Sequence, residues 1–201
     1  QCERLAVPLR DRNAWLVAAG YAPMYRQQPL DDPSMHAARQ AVQHLLDRHA
    51  PWPAVAFDRH WNMVMANRMV QPLLEGVDPS LLQSPINLLR VSLHPQGLAP
   101  RIVNLNQWRD HLFARLQQQL HNTFDASLQA LLTELQNHPG QPDGQAHHLA
   151  GEHRGVLMPF LIQSPWGVLN LISTTTVFGS PTDITLQELA LETFFPGDEA
   201  T

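Results

Sequence analysis

One short segment, residues 54–66, constrains the fold more than any other part of the chain. Apolar residues fill 54–57, and apolar side chains recur at every second position over 61–66, which predicts two short strands at about 54–58 and 61–66. The few residues between them allow only a tight turn, so the strands should pair as an antiparallel hairpin. Asn67 follows directly and is a residue type that caps helices. The segment therefore predicts a small sheet followed by a helix.

The second strand of this hairpin carries a stripe of large apolar side chains. Period-two alternation predicts that Trp61, Met63 and Met65 share one face of the sheet. Methionine adapts its shape to flexible apolar ligands, so the stripe is a candidate pocket wall. Ordinary core packing explains the same pattern and is the more common outcome.

The N-terminal quarter of the chain predicts two helices. Pro8 suits the start of the first, Gly20 suits its end, and Pro23 stops any continuation. The second should begin after Asp32, which can cap the free N–H groups, and run to about His49. Its apolar face is the set Met35, Ala38, Val42, Leu45 and Leu46.

The middle and the end of the chain predict more helices and then more strands. Short helices are expected up to about residue 105. Two amphipathic helices are expected over 106–121, capped by Asn106, and over 124–137. Residues 138–154 read as a loop. Strands are expected at Val156–Gln163, Val168–Phe178 and Leu189–Phe195, with a hairpin turn at 164–167 and with Pro159 marking an edge or a bulge.

This order of elements predicts an α+β fold: an antiparallel sheet with helices on one face, preceded by N-terminal helices. The formal net charge is −5, so these residues lack the basic excess typical of proteins that bind DNA phosphates. The single cysteine, Cys2, excludes an intrachain disulfide and a zinc site built from cysteines, and it fits a cytoplasmic protein.

Several functional classes lack support in the sequence. No apolar run approaches the roughly 18 residues of a membrane helix, and no signal peptide is visible, so no membrane partner is predicted. The G-x-S-x-G, H-E-x-x-H, Walker and G-x-G-x-x-G motifs are absent, so we predict no catalytic residue, no cofactor and no enzyme activity. The chain begins at Gln1 without a methionine, and we expect it to be part of a longer protein.

Several segments, taken in order, resemble a known family. Residues 5–23 are similar to the tail of an XRE-type helix-turn-helix domain. The segments that follow resemble the MmyB-like ligand-binding domain of bacterial transcription regulators, which is PAS-like. They are Leu30-Asp31-Asp32-Pro33, Asp58-Arg59-His60-Trp61-Asn62, Asn87-Leu88-Leu89-Arg90, Ser173-Thr174-Thr175-Thr176-Val177-Phe178-Gly179 and Phe194-Phe195-Pro196.

The resemblance implies a division of the chain and a role for it. Residues 1–27 would be the end of a DNA-binding domain, 28–53 a connecting helix, and 54–201 the ligand-binding domain. It also implies a small apolar ligand, with fatty acids a ligand type associated with the family. DNA would be bound through the missing N-terminal domain, and we expect a homodimer.

The candidate ligand contacts come from the predicted sheet and from the helices facing it. Arg90 and Arg115 are candidates for a ligand carboxylate, because the guanidinium group pairs with carboxylates at two points; a structural ion pair is the alternative for each. The full set of candidates is Phe57, Trp61, Met63, Met65, Leu89, Arg90, Trp108, Leu112, Arg115, Leu116 and Phe160.

Three other interpretations stay open at this point. The first is a PAS-like dimerisation or interaction module without a small-molecule ligand, which would have a filled core. The second is an enzyme on the same fold, and the third is a haem or flavin sensor. The cluster His147, His148 and His153 invites a metal site, but it lies in the predicted loop without nearby cysteine, so we predict no metal.

Overall fold

A computed structural model describes residues 7–140, 158–179 and 181–201. Within these residues the chain forms seven α-helices, four short 3-10 turns and five strands. The helices are α1 (Leu9–Ala18), α2 (His36–Arg48), α3 (Gln71–Leu74), α4 (Leu88–Leu93), α5 (Leu105–Thr123), α6 (Ala126–Gln136) and α7 (Ile184–Gln187). The strands are β1 (Ala54–Phe57), β2 (Met63–Ala66), β3 (Pro159–Ser164), β4 (Gly167–Val177) and β5 (Ala190–Pro196).

The five strands form one antiparallel sheet in the order β2-β1-β5-β4-β3. The last strand in the chain therefore lies in the middle, between β1 and β4. β3 is an edge strand that begins at Pro159, which confirms the edge position predicted for this proline, since it cannot donate to a ladder. The hairpin turn between β3 and β4 also lies where it was predicted.

Helices α4, α5 and α6 pack on one face of this sheet and form the main core with it. Helices α5 and α6 contribute the apolar faces of the two predicted amphipathic helices, including Trp108, Leu112 and Leu116 of α5. Phe57, Phe160, Ile162 and Leu171 face them from the sheet. The predicted fold class, an α+β protein with a PAS-like antiparallel sheet and helices on one face after N-terminal helices, is confirmed.

The N-terminal helix α2 covers the opposite face of the sheet and builds a second core. Asp32 accepts a hydrogen bond from Ser34 N and starts the helical segment, as predicted. Val42 and Leu46 are fully buried there, whereas Leu45 is 54% exposed, so its assignment to the apolar face is wrong. The other buried members are Leu30, Met35, Ala54, Ala56, Met65, Leu189 and Leu191.

The predicted single stripe of Trp61, Met63 and Met65 is also wrong. Met65 lies opposite Ala56, but Met63 lies opposite Phe57, so β2 contains one extra residue at this point. Such a β-bulge reverses the alternation of side chains beyond it. Met65 therefore packs under α2, on the opposite side of the sheet from Trp61.

Two asparagines show how side-chain caps position the helices. Asn67 accepts a hydrogen bond from Met69 N and begins the helical segment that leads to α3, which confirms its predicted role. Asn106 does not cap α5, because the helix already begins at Leu105. Asn104 precedes it and ties the helix to β3, donating to Pro159 O at 2.8 Å and accepting from Leu161 N at 3.1 Å.

Helix α1 is attached to the end of the domain by polar contacts. Leu9 N donates to Gln187 Oε1 at 2.6 Å, and Arg10 forms an ion pair with Glu188. Beyond α1, Arg26 O accepts from Ile184 N at 2.9 Å. The domain boundaries predicted at residues 27 and 53 stay predictions, and His147, His148 and His153 lie outside the described residues.

Candidate ligand-binding site

A cavity of about 100 Å³ lies between the sheet and the helices of the main core. Its wall is almost entirely apolar, with one serine and one glutamate as exceptions. The lining residues are Pro53, Val55, Trp61, Val70, Leu73, Leu74, Leu88, Leu89, Val91, Ser92, Leu98, Trp108, Leu112, Phe160, Glu192 and Phe194.

The β1–β2 turn places Trp61 in this wall. The carboxylate of Asp58 accepts hydrogen bonds from His60 N at 2.8 Å and Asn62 N at 2.9 Å, which closes the turn. Trp61 adopts a left-handed backbone conformation with φ of 65°, which is rare for a bulky residue and has to be held by its surroundings. Its ring stacks on Phe57 with centroids 5.0 Å apart, and its indole N–H donates to Gln119 Oε1 at 2.9 Å.

Helix α4 presents the next part of the wall. Asn87 caps it by accepting from Arg90 N, and the asparagine Nδ2 donates to His60 O at 2.9 Å, which joins α4 to the β1–β2 turn. Leu88 and Leu89 then line the cavity. Arg90 points away and forms a two-point ion pair with Glu134, with both nitrogen–oxygen distances 2.7 Å.

Helix α5 and strand β3 form the opposite wall through two aromatic rings. Trp108 is buried, and its ring centroid lies 4.6 Å from that of Phe160. The indole N–H donates to Ser92 Oγ at 2.9 Å, so the oxygen of that buried hydroxyl already accepts a hydrogen bond. His111 stacks on the Trp108 ring, and burial and then the charge of Arg115 lower the pKa of His111 below its ordinary value.

An ion pair forms the polar corner of the cavity. Glu192 of β5 lies opposite Val55 and Thr175, so its side chain points to the helix side of the sheet. Arg115 Nη1 of α5 lies 3.0 Å from Oε1 and 3.3 Å from Oε2 of this carboxylate. The guanidinium also donates to Thr175 Oγ1 at 3.2 Å and lies over the Trp61 ring at 4.7 Å from the ring centroid.

The outer wall is a thin layer around α3, a helix of one turn whose leucines are only half-buried. Arg101 holds the end of this turn. Its Nη1 donates to Leu73 O at 2.8 Å and to Glu75 O at 3.0 Å, and its Nε donates to Gln163 O at 3.2 Å on β3. One side chain therefore fastens the outer wall to the edge of the sheet.

Comparison with protein families identifies the domain that contains this cavity. Residues 38–201 match the family described as the MmyB-like transcription regulator ligand binding domain. The chain belongs to this family. Among curated proteins, no significant match is found for the chain. The match begins within α2 and includes every residue that lines the cavity of this MmyB-like domain.

The predicted ligand contacts of the MmyB-like domain divide into two groups. The structure brings Trp61, Leu89, Trp108, Leu112 and Phe160 together in the cavity wall. The others do not line it. Phe57 stacks behind Trp61, and Leu116 is buried one helical turn beyond Leu112. Met63 is half-buried, and Met65 lies on the opposite face of the sheet. Arg90 forms an ion pair with Glu134, and Arg115 forms one with Glu192.

Some wall residues of the MmyB-like domain were missed in the sequence. Glu192 and Phe194 alternate on one face of β5, and a period-two reading of this strand would have singled out the buried glutamate. Val70, Leu73 and Leu74 lie in a proline-broken segment too short to show helical periodicity. Sequence offered no signal for them.

The MmyB-like family is a regulator ligand-binding family rather than a catalytic one, which favours binding over catalysis. Within the described ranges, no group of three or more His, Cys, Asp or Glu side chains is placed to hold a metal ion. None of the helices in these ranges is long and apolar enough to cross a membrane.

Proposed function

We propose that this domain is the effector sensor of a bacterial one-component transcription regulator that acts in the cytoplasm as a homodimer. A small apolar molecule binds in the cavity and changes how the regulator holds DNA through a separate DNA-binding domain. The observation that carries the proposal is the apolar cavity between sheet and helices in a member of a ligand-binding family. An apolar lining with a few polar groups is typical of the sites that bind small molecules.

The size of the cavity sets a limit on what it holds without rearrangement. A cavity of about 150 Å³ is known to bind benzene, and the present one is about 100 Å³. Benzene has about six heavy atoms, so a ligand of that size or larger requires the wall of the present cavity to move outward. A fatty acid, the ligand type that the family resemblance implies, requires the outer wall at α3 to move outward.

For a fatty acid, the free energy gained by burying the hydrocarbon chain is of the same order as the cost of association. Burying about a dozen CH₂ groups contributes on the order of 10 kcal/mol at roughly 0.8 kcal/mol each. Association costs on the order of 4–15 kcal/mol, so affinity depends on how well the wall closes around the chain. An apolar ligand needs few polar contacts under these conditions.

Contacts between the cavity wall and α1 support a route for the signal. Trp61 bonds to Gln119, whose amide donates to Arg59 O at 2.5 Å. Arg59 lies 3.5 Å from Glu188, which also pairs with Arg10 of α1. A ligand that moves Trp61 differently in two states would shift α1, and only such differential binding shifts an equilibrium. Helix α2, the predicted connecting helix, lies across the sheet from the cavity and offers a second route.

The test begins with native mass spectrometry of the freshly purified chain, followed by extraction under denaturing conditions. We expect an apolar small molecule to be released. Leu112→Phe adds a ring to the cavity wall and should abolish retention of the molecule, whereas the matched variant Leu45→Phe on the exposed side of α2 should leave it unchanged. Equal retention by Leu112→Phe would contradict the cavity as the site.

The regulatory half of the proposal is tested on the full-length regulator. Its affinity for operator DNA should differ between the protein saturated with the extracted molecule and the stripped protein. An unchanged affinity at saturation would contradict regulation through this site, because a ligand with equal affinity for both states shifts nothing.

A dimerisation module without a ligand is the second candidate function. Several apolar side chains at β4, its hairpin and the end of β5 are exposed: Trp166, Val168, Val177 and Phe195. Exposed apolar patches often mark interaction surfaces. Sedimentation of the stripped protein separates the candidates, because a dimer that forms without ligand, together with no released molecule, favours the second.

A further inference from the structure

The polar corner of the cavity points to the chemistry of the ligand's polar end; this inference rests on the proposed function. Glu192 is 6% exposed and lines the cavity. A carboxylate has about four acceptor sites. Within the described residues, the hydrogen bonds to this carboxylate all come from Arg115 Nη1, which is shared between its two oxygens. The carboxylate therefore keeps the capacity to accept a hydrogen bond from a ligand.

Arg115 is occupied in three ways and does not present a free cation to the cavity. Nη1 bonds to Glu192, Nη2 bonds to Thr175, and the guanidinium plane covers the Trp61 ring. A ligand carboxylate could reach it only by separating it from Glu192. Removing one partner from a buried ion pair leaves an uncompensated charge, which is strongly unfavourable.

We infer that the cavity selects a small apolar molecule that carries a hydrogen-bond donor, such as a hydroxyl group, and disfavours the carboxylate of equal chain length. The donor lies against Glu192, and the hydrocarbon part contacts the apolar wall. The other polar group of the wall, Ser92 Oγ, accepts from Trp108, and among the described residues its own proton has no acceptor, so it can donate to a ligand oxygen. A ligand hydroxyl, which both donates and accepts, satisfies either group.

Three probes with the same six-carbon chain test this inference on the stripped protein: 1-hexanol, hexyl methyl ether and hexanoate at pH 7.5. Their affinities are measured by calorimetry or by the fluorescence of the wall tryptophans. We expect 1-hexanol to bind at least about tenfold more tightly than each of the other two, the ether because it lacks a donor and hexanoate because it faces Glu192.

Two matched variants identify the residue responsible. Glu192→Gln removes the negative charge and frees Arg115, so hexanoate should gain at least about tenfold relative to 1-hexanol. Glu134→Gln weakens the ion pair between Glu134 and Arg90, neither of which lines the cavity. This variant should leave all three affinities unchanged. The three wild-type affinities keep the test decisive if Glu192→Gln does not fold.

The outcomes separate this inference from the function it rests on. Wild-type protein that binds hexanoate or the ether as tightly as 1-hexanol would overturn the donor preference and leave the sensor function standing. Failure of all three probes to bind at millimolar concentration would overturn both, because the cavity would then take no apolar ligand with a six-carbon chain, even with movement of the outer wall.

Discussion

Arg10, in the first described helix, forms a two-point ion pair with Glu188, which lies 178 positions later in the chain. The Nε–Oε1 distance is 2.6 Å and the Nη2–Oε2 distance is 2.8 Å. Glu188 also lies within 3.5 Å of Arg59 in the β1–β2 turn, whose Nη2 contacts Asp125 at the start of α6. A line of alternating charges thus runs from α1 into the ligand-binding domain.

The first prediction concerns this attachment of α1. Arg10→Ala should speed amide hydrogen exchange in α1 while leaving exchange in the sheet unchanged, because the pair ties α1, in which Leu9 is the buried residue, to the domain. The effect on global stability should be small, about 0.2–1 kcal/mol, since the pair is partly exposed to solvent. Arg39→Ala, at an exposed arginine of α2, is the control and should change neither quantity.

The second prediction concerns Asn67, a buried asparagine with four hydrogen bonds. Its Oδ1 accepts from Ala54 N and Met69 N, and its Nδ2 donates to Leu46 O and Trp52 O. Asn67→Ala strips partners from these buried backbone groups and should lower the free energy of unfolding by about 3 kcal/mol, as measured by urea denaturation.

The control for that measurement is Asn122→Ala on the exposed surface of α5, which should change stability by at most about 0.5 kcal/mol. A loss at Asn67 no larger than the loss at Asn122 would show that the four bonds do not join α2 to the sheet as described.

The third prediction concerns access to the cavity. Arg101→Met keeps the aliphatic stem but removes the donors that hold α3 against β3. The dissociation rate of 1-hexanol should rise by roughly tenfold, equivalent to about 1.4 kcal/mol for lost hydrogen bonding. Arg68→Met, at an exposed arginine just before α3, is the control. Unchanged dissociation in Arg101→Met would mean that ligands pass through another part of the wall.

The fourth prediction concerns pH and His138. Its ring contacts His94, and its Nε2 is buried without a hydrogen-bond partner among the described residues. Burial, followed by the charge of His94, lowers the pKa of His138; Glu134 and Arg109 are the other charged groups nearby. A lowered pKa in the folded state means that the unfolded chain binds the proton more readily. The stability from neutral His138 is therefore complete above the ordinary pKa near 6.5 and is lost as pH falls below it.

Urea denaturation at pH 7.5, 6.5 and 5.5 measures this effect. His138→Gln should flatten the decline of unfolding free energy over this range, and the slope that remains should include His111, whose pKa is lowered in the same direction. His44→Gln on the exposed side of α2 should reproduce the wild-type slope. A wild-type slope in His138→Gln would rule out His138 as a source of the decline.

Local patterns in the sequence determined most of the elements. Hairpin spacing, helix periodicity and caps depend on residues close together in the chain, and they correctly predicted the strands around the β1–β2 turn, the helix after Asp32, the cap at Asn67 and the edge position of Pro159. The family signal has the same origin. Asn87-Leu88-Leu89-Arg90 combines a cap, two wall residues and an ion pair within four positions.

The faces and partners of individual side chains were decided only by the tertiary structure. One inserted residue in β2 sends Met65 to the opposite side of the sheet from Trp61, and no local pattern marks it. Arg90 and Arg115 look alike in sequence, yet one pairs outside the cavity and the other beside it, because the partners Glu134 and Glu192 come from distant elements. Sequence therefore determined which elements form, whereas long-range packing decided which side chains meet at the cavity.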